Sequence, residues 1–102
     1  MKLTIKYDLV VTRHQALINY LLINKLISKS TKIVDHINNP KQLQGLNVIG
    51  VLPHNYSCYC KTFTEVPLSI PRELRDRNRE LTQEEFNSCV GTPITYSVTR
   101  IN

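Results

Sequence analysis

Leu9-Val10-Val11-Thr12-Arg13-His14 runs directly into Gln15-Ala16-Leu17-Ile18-Asn19-Tyr20-Leu21-Leu22-Ile23-Asn24-Lys25-Leu26-Ile27, and the change of period at His14 decides the fold. Residues 2–12 read as a strand. Leu3, Ile5 and Tyr7 alternate with Lys2, Thr4 and Lys6 before the continuous run Leu9-Val10-Val11. Alternation marks a half-exposed start, and continuity marks an end buried on both faces. Residues 15–27 then switch to helical spacing. Ala16, Leu17, Tyr20, Leu21, Ile23, Leu26 and Ile27 form a broad apolar face, with Asn19, Asn24 and Lys25 opposite. Thr12 and His14 are the candidate caps at its start.

The same grammar repeats downstream. Residues 32–37 give a second strand, broken by Asn38-Asn39-Pro40, and a short helical segment 40–44 ends at Gly45. Residues 47–52 form a third strand, continuous in Val and Ile and therefore central. A short helix is read over 54–62 and a fourth strand over 65–70, where Pro67 argues for an edge or a bulge. A polar stretch runs from Pro71 to Arg79. Thr82 then caps a helix over 83–90, with Glu85 at capping-box spacing and Gly91 ending it. Residues 94–101 alternate as a final half-exposed strand. The order βαβαβαβαβ implies an α/β chain: a single domain over 1–102, a small Rossmann-like layer fold with a mainly parallel sheet. The three glycines are scattered, so the glycine fingerprint of a dinucleotide site is missing.

At 102 residues the chain buries roughly two-thirds of the surface exposed when unfolded. That suffices for a core but leaves a shallow surface around any large ligand, which a dimer would deepen. The net charge of +5 favours anionic partners such as nucleotides, nucleic acid or acidic lipids, the plain alternative being a slightly basic surface. Cys58, Cys60 and Cys89 lack the spacing of a zinc site and read as reduced packing groups. No secretory leader or membrane-length apolar run is apparent. A cytoplasmic protein with no membrane partner is expected, and the sequon Asn55-Tyr56-Ser57 is then idle.

Each of the three histidines closes a strand: His14 after Leu9-Val10-Val11, His36 after Ile33-Val34, His54 after Val48-Ile49-Gly50-Val51-Leu52-Pro53. If the strands are parallel neighbours, all three emerge at one sheet edge, the edge where α/β sheets bind ligands. Thr12-Arg13-His14 lies at a strand-to-helix turn, where free backbone N–H groups, a guanidinium fork and a hydroxyl suit a phosphate. A capped helix beside an exposed arginine explains the same residues. Asp35-His36 reads either as a pair that holds a tautomer or ligates a metal, or as turn residues. His54-Asn55 reads as a ligand contact or as capping. Arg72, Arg75, Arg77 and Arg79, interleaved with Glu73, Asp76 and Glu80, read as a solvated surface or as a lid over a polyanion.

Val11-Thr12-Arg13-His14, Asp35-His36, Val48-Ile49-Gly50-Val51-Leu52-Pro53, Leu68-Ser69-Ile70-Pro71-Arg72-Glu73-Leu74-Arg75 and Arg79-Glu80-Leu81-Thr82, in that order, resemble the "Csx-sixteen" family of small type III CRISPR accessory proteins. The resemblance spans roughly residues 9–86. It implies a ring nuclease that degrades a cyclic oligoadenylate messenger and so ends the antiviral response. It also implies a Rossmann-like core related to the CARF domains that sense these rings, and a symmetric dimer. The segment from His54 to Phe63 is more polar and aromatic than that family's pattern, and the Arg75 to Arg79 stretch is slightly longer.

Residues and resemblance together give a set of expectations. A ribose 2′-OH attacks its adjacent phosphorus without a metal, preferentially in cyclic tetra-adenylate. Arg13 stabilises the phosphorane, Thr12 positions it and His14 transfers the proton. Arg72, Arg75 and Arg79 contact phosphate, and His36, His54 and Asn55 contact substrate. No cofactor and no duplex nucleic acid are expected. Two rivals remain at this level. One is a three-histidine metal hydrolase using His14, His36 and His54 with Asp35. The other is a sensor or sponge that binds the ring without cutting it.

Overall fold

The computed structural model describes residues 6–75 and 80–102. In chain order the elements are β1 (Leu9–Val11), α1 (Gln15–Ile23), β2 (Lys32–Val34), a 3₁₀ turn (Pro40–Leu43), β3 (Asn47–Gly50), α2 (His54–Ser57), β4 (Thr62–Glu65), α3 (Arg72–Arg75), α4 (Gln83–Cys89) and β5 (Ile94–Tyr96). The five strands form one sheet in the order β2-β1-β3-β4-β5. β1 runs parallel to β2 and β3, and β3 parallel to β4, while β5 is antiparallel to β4. This is the mainly parallel α/β layer fold expected from the element order.

The continuous apolar runs are explained by cover on both faces of the sheet. Successive strand residues point to opposite sides. Leu9, Val11, Val48 and Phe63 therefore enter one layer, with Ile37, Leu43 and Cys60. Val10 and Ile49 enter the other, with Leu17 and Leu21 of α1, Ile27, and Phe86 of α4. Val10, Val48 and Ile49 are wholly buried, and each such side chain contributes about 1.5–3 kcal/mol on leaving water.

Several boundaries differ from the sequence expectation. Helix α1 stops at Ile23 rather than 27. Lys25 adopts a left-handed φ of 58°; its N–H donates to the Leu22 carbonyl (3.1 Å) and that of Leu26 to the Leu21 carbonyl (2.9 Å). This is a Schellman closure with lysine where glycine is usual, and it lets Ile27 still reach the core. The fourth strand is Thr62–Glu65, not 65–70, and the helix read over 54–62 is only His54–Ser57. The β-branched and aromatic run Thr62-Phe63-Thr64 pairs with β3, leaving Leu68 to form a single bridge with Val90. β2 ends at Val34, β3 at Gly50 and β5 at Tyr96, all earlier than read. The capping box is as expected: the Thr82 hydroxyl accepts from the Glu85 N–H (3.2 Å) and the Glu85 carboxylate from the Thr82 N–H (2.9 Å). Among the described residues no helix is long and apolar enough to cross a membrane.

Candidate functional site

Because β1 to β4 are parallel, their carboxyl ends share one edge, and His14, His36 and His54 all leave from it. The strand order reverses between β1 and β3, which places the crevice of an α/β sheet there. The two strands are joined by the ladder at this point. The Val51 N–H donates to the Val11 carbonyl (2.9 Å), and Gly50, at φ 140°, leaves no room for a side chain: a Cβ would lie 2.0 Å from the Val11 oxygen. On the other side, the Thr12 N–H donates to the Val34 carbonyl (2.9 Å).

Thr12 is buried, and its hydroxyl accepts the backbone N–H of His14 at 3.1 Å. That bond sets the turn from β1 into α1. His14 is the N-cap residue of α1 by its extended backbone, without a side-chain cap bond. Arg13 between them is exposed and has no partner among the described residues. The helix start therefore leaves donors and a guanidinium open to solvent, as an anion requires.

Two cavities flank this turn, one over each layer of the core. The first, of about 380 Å³, lies between the start of α1, α3 and α4, and His14, Arg75 and Glu80 supply its charged groups. Its walls are apolar, among them Leu68, Ile70, Leu74 and Leu81. The Nδ1 atom of His14 stands 3.9 Å from the Glu80 carboxylate, with the two side chains 60% and 75% exposed. Such an open pair contributes little to stability. At that distance it places a carboxylate on the Nδ1 side of the ring without a hydrogen bond between them. Gln83 braces the same corner, donating to the Ala16 carbonyl (3.1 Å) while its own carbonyl accepts from Asn19 (3.1 Å).

The second cavity, of about 330 Å³, holds His36 and Asn55, together with Asp35 and Tyr56. The three histidines are thus divided. His54, the first residue of α2, lines neither cavity, and neither does Arg72. Arg79 falls outside the described residues. Among the described residues no group of three or more His, Cys, Asp or Glu side chains stands close enough to hold a metal ion, so the three-histidine centre does not assemble. Neither Glu80, read only as part of the mixed arginine stretch and of the family resemblance, nor Tyr56 is named as a site residue from the sequence. Glu80 is separated from His14 by most of the chain, and Tyr56 is read there only as the middle of the sequon Asn55-Tyr56-Ser57. Their signal is the fold itself.

A family profile described as "Putative CRISPR-associated protein (Cas_VVA1548)" matches residues 9–99. The chain belongs to this CRISPR-associated family. No curated protein and no solved structure matches it. The match begins at the first residue of β1 and runs past β5, so every residue lining the two cavities of this CRISPR-associated protein lies inside it. The thiols stand apart from this chemistry. All three are free, and burial together with the neighbouring Cys58 pushes the Cys60 thiol up to about 11, which keeps it protonated and inert.

Proposed function

We propose that this CRISPR-associated protein binds a cyclic oligoadenylate, cyclic tetra-adenylate foremost, and opens it without a metal, ending a type III antiviral signal. The reading is carried by one juxtaposition: the His14 imidazole and the Arg75 guanidinium line one cavity beside the turn that bears Arg13. In the step itself a ribose 2′-oxygen bonds to the adjacent phosphorus as the bond to the 5′-oxygen breaks. His14 takes the 2′-proton, water protonates the departing 5′-oxygen, and a 2′,3′-cyclic phosphate remains; the hydroxide left behind removes the proton from His14. Arg13 and Arg75 offset the charge that builds on the phosphorane oxygens, and Thr12 fixes the turn that presents them.

Size supports a shared site. A cavity of about 380 Å³ is at the small end of ligand pockets, which run roughly 300–1,000 Å³, and is too small for a ring of four nucleotides. A four-nucleotide ring has two-fold symmetry, and two protomers related by such an axis would present the same groups to opposite phosphates.

The test is incubation with cyclic tri-, tetra- and hexa-adenylate in excess chelator, followed by chromatography and mass spectrometry. Linear products ending in a 2′,3′-cyclic phosphate are expected. Rings that survive while bound would replace cleavage with sequestration, and cleavage appearing only on addition of a metal would replace the 2′-OH mechanism.

A further inference from the structure

The second cavity has a composition the phosphate chemistry does not use. Its floor is apolar, formed by Val11, Val51 and the ring of Tyr56. Val51, at the point where the strand order reverses, is 64% exposed, an apolar surface with nothing over it. Tyr56 is partly buried against the core layer beneath, which holds its ring in place. Around this floor stand Asp35, His36 and Asn55, and none of these side chains has a hydrogen-bond or ionic partner among the described residues. An apolar slot with a few unengaged polar groups on its rim is the usual form of a site for a flat heterocycle.

We infer that this cavity is a nucleobase site selective for adenine, resting on the reading of the chain as an adenylate-binding protein. The ring of Tyr56 and the Val51 side chain supply the stacking surfaces. Asp35, an acceptor only, accepts a hydrogen bond from the 6-amino group. The Asn55 amide both donates and accepts, matching the adjacent N7 and N6–H₂ of adenine. A 6-oxo purine presents an acceptor to the Asp35 carboxylate and loses that match. The phosphate cavity lies over the opposite layer of the sheet, so a bound nucleotide straddles the turn at Thr12-Arg13 with its base on one side and its phosphate on the other.

Adenosine, which has no phosphate, isolates this site from cleavage. In titrations of isotope-labelled protein followed by NMR, adenosine is expected to shift the amides of residues 35–37 and 51–56, with inosine about 10-fold weaker. Asp35→Asn, whose amide can donate to a 6-oxo group as well as accept from a 6-amino group, is expected to erase that preference, and Tyr56→Leu, which keeps the apolar packing, to weaken both nucleosides about 10-fold. Shifts confined to the His14 cavity, an equal response to inosine, or no response at saturating nucleoside would overturn the inference. A parallel ring-cleavage assay separates the two readings. Adenosine bound here while rings survive would remove the nuclease and leave the base site. Rings cut by Asn55→Leu at unchanged KM would remove the base site and leave the nuclease.

Discussion

Gly50→Ala tests the geometry on which both cavities depend. The added Cβ would stand 2.0 Å from the Val11 carbonyl oxygen, 2.8 Å from its carbon and 3.0 Å from its nitrogen. These are backbone atoms of the neighbouring strand, so no side chain can swing aside. β1 and β3 would have to part by about 1 Å to bring the oxygen to 3.0 Å, losing the 2.9 Å bond from Val51 to Val11. Overpacking of this kind costs about 1–3 kcal/mol, and holding alanine at φ 140° costs a further 1–3 kcal/mol or so. The total is about 4 kcal/mol, against roughly 5–15 kcal/mol for a whole domain. Urea denaturation followed by circular dichroism reads it directly. A variant within about 1 kcal/mol of the parent would refute the close approach of the two strands.

Other perturbations probe separate features. Lys25→Gly relieves the left-handed φ of 58° at the end of α1 and should stabilise by about 1 kcal/mol, seen as a higher Tm; a lower Tm would contradict the Schellman closure. His14→Gln keeps a polar side chain at the start of α1 and should slow ring opening by about 10²-fold at unchanged fold. A loss under about 5-fold would assign the proton to another group. For Cys60, the unfolded thiol ionises near 9.0 whereas the folded one holds its proton to about 11. The stability tied to this group is therefore complete below pH 9 and lost as pH rises towards 11. Cys60→Val should flatten the fall in urea midpoint between pH 8 and 10.5, and an identical slope in both proteins would count against the buried thiol.

The layer order was legible because burial on both faces leaves a plain mark: Leu9-Val10-Val11 and Val48-Ile49 admit no polar face. Where a strand lies next to an irregular connection the mark fades. Thr62-Phe63-Thr64-Glu65 has one apolar residue in four, and its place in the sheet is set by pairing with β3 and β5, a tertiary fact. The end of α1 was hidden for a different reason: its stop signal is a backbone conformation at Lys25, a residue that elsewhere extends helices. Of the site, the common edge of the three histidines followed from parallel strands. The separation of His14 from His36 into different cavities, with His54 in neither, did not, because it depends on which layer each connection crosses after leaving the sheet. His14 turns into α1 over one layer; His36 leads to Ile37 in the other.

Strand β5 contributes no buried residue. Ile94 and Tyr96 are 45% and 43% exposed, and besides its ladder to β4 the side-chain tie among the described residues is one hydroxyl pair, Thr64 to Thr95 at 2.8 Å. Such a strand can peel away at little cost while β1, β3 and the layers over them stay closed. Its amides should exchange with deuterium far sooner than those of Val10 and Ile49, which await unfolding of the whole domain. On that expectation the sheet edge remote from the β1–β3 crevice would open as a unit of its own while the crevice keeps its shape.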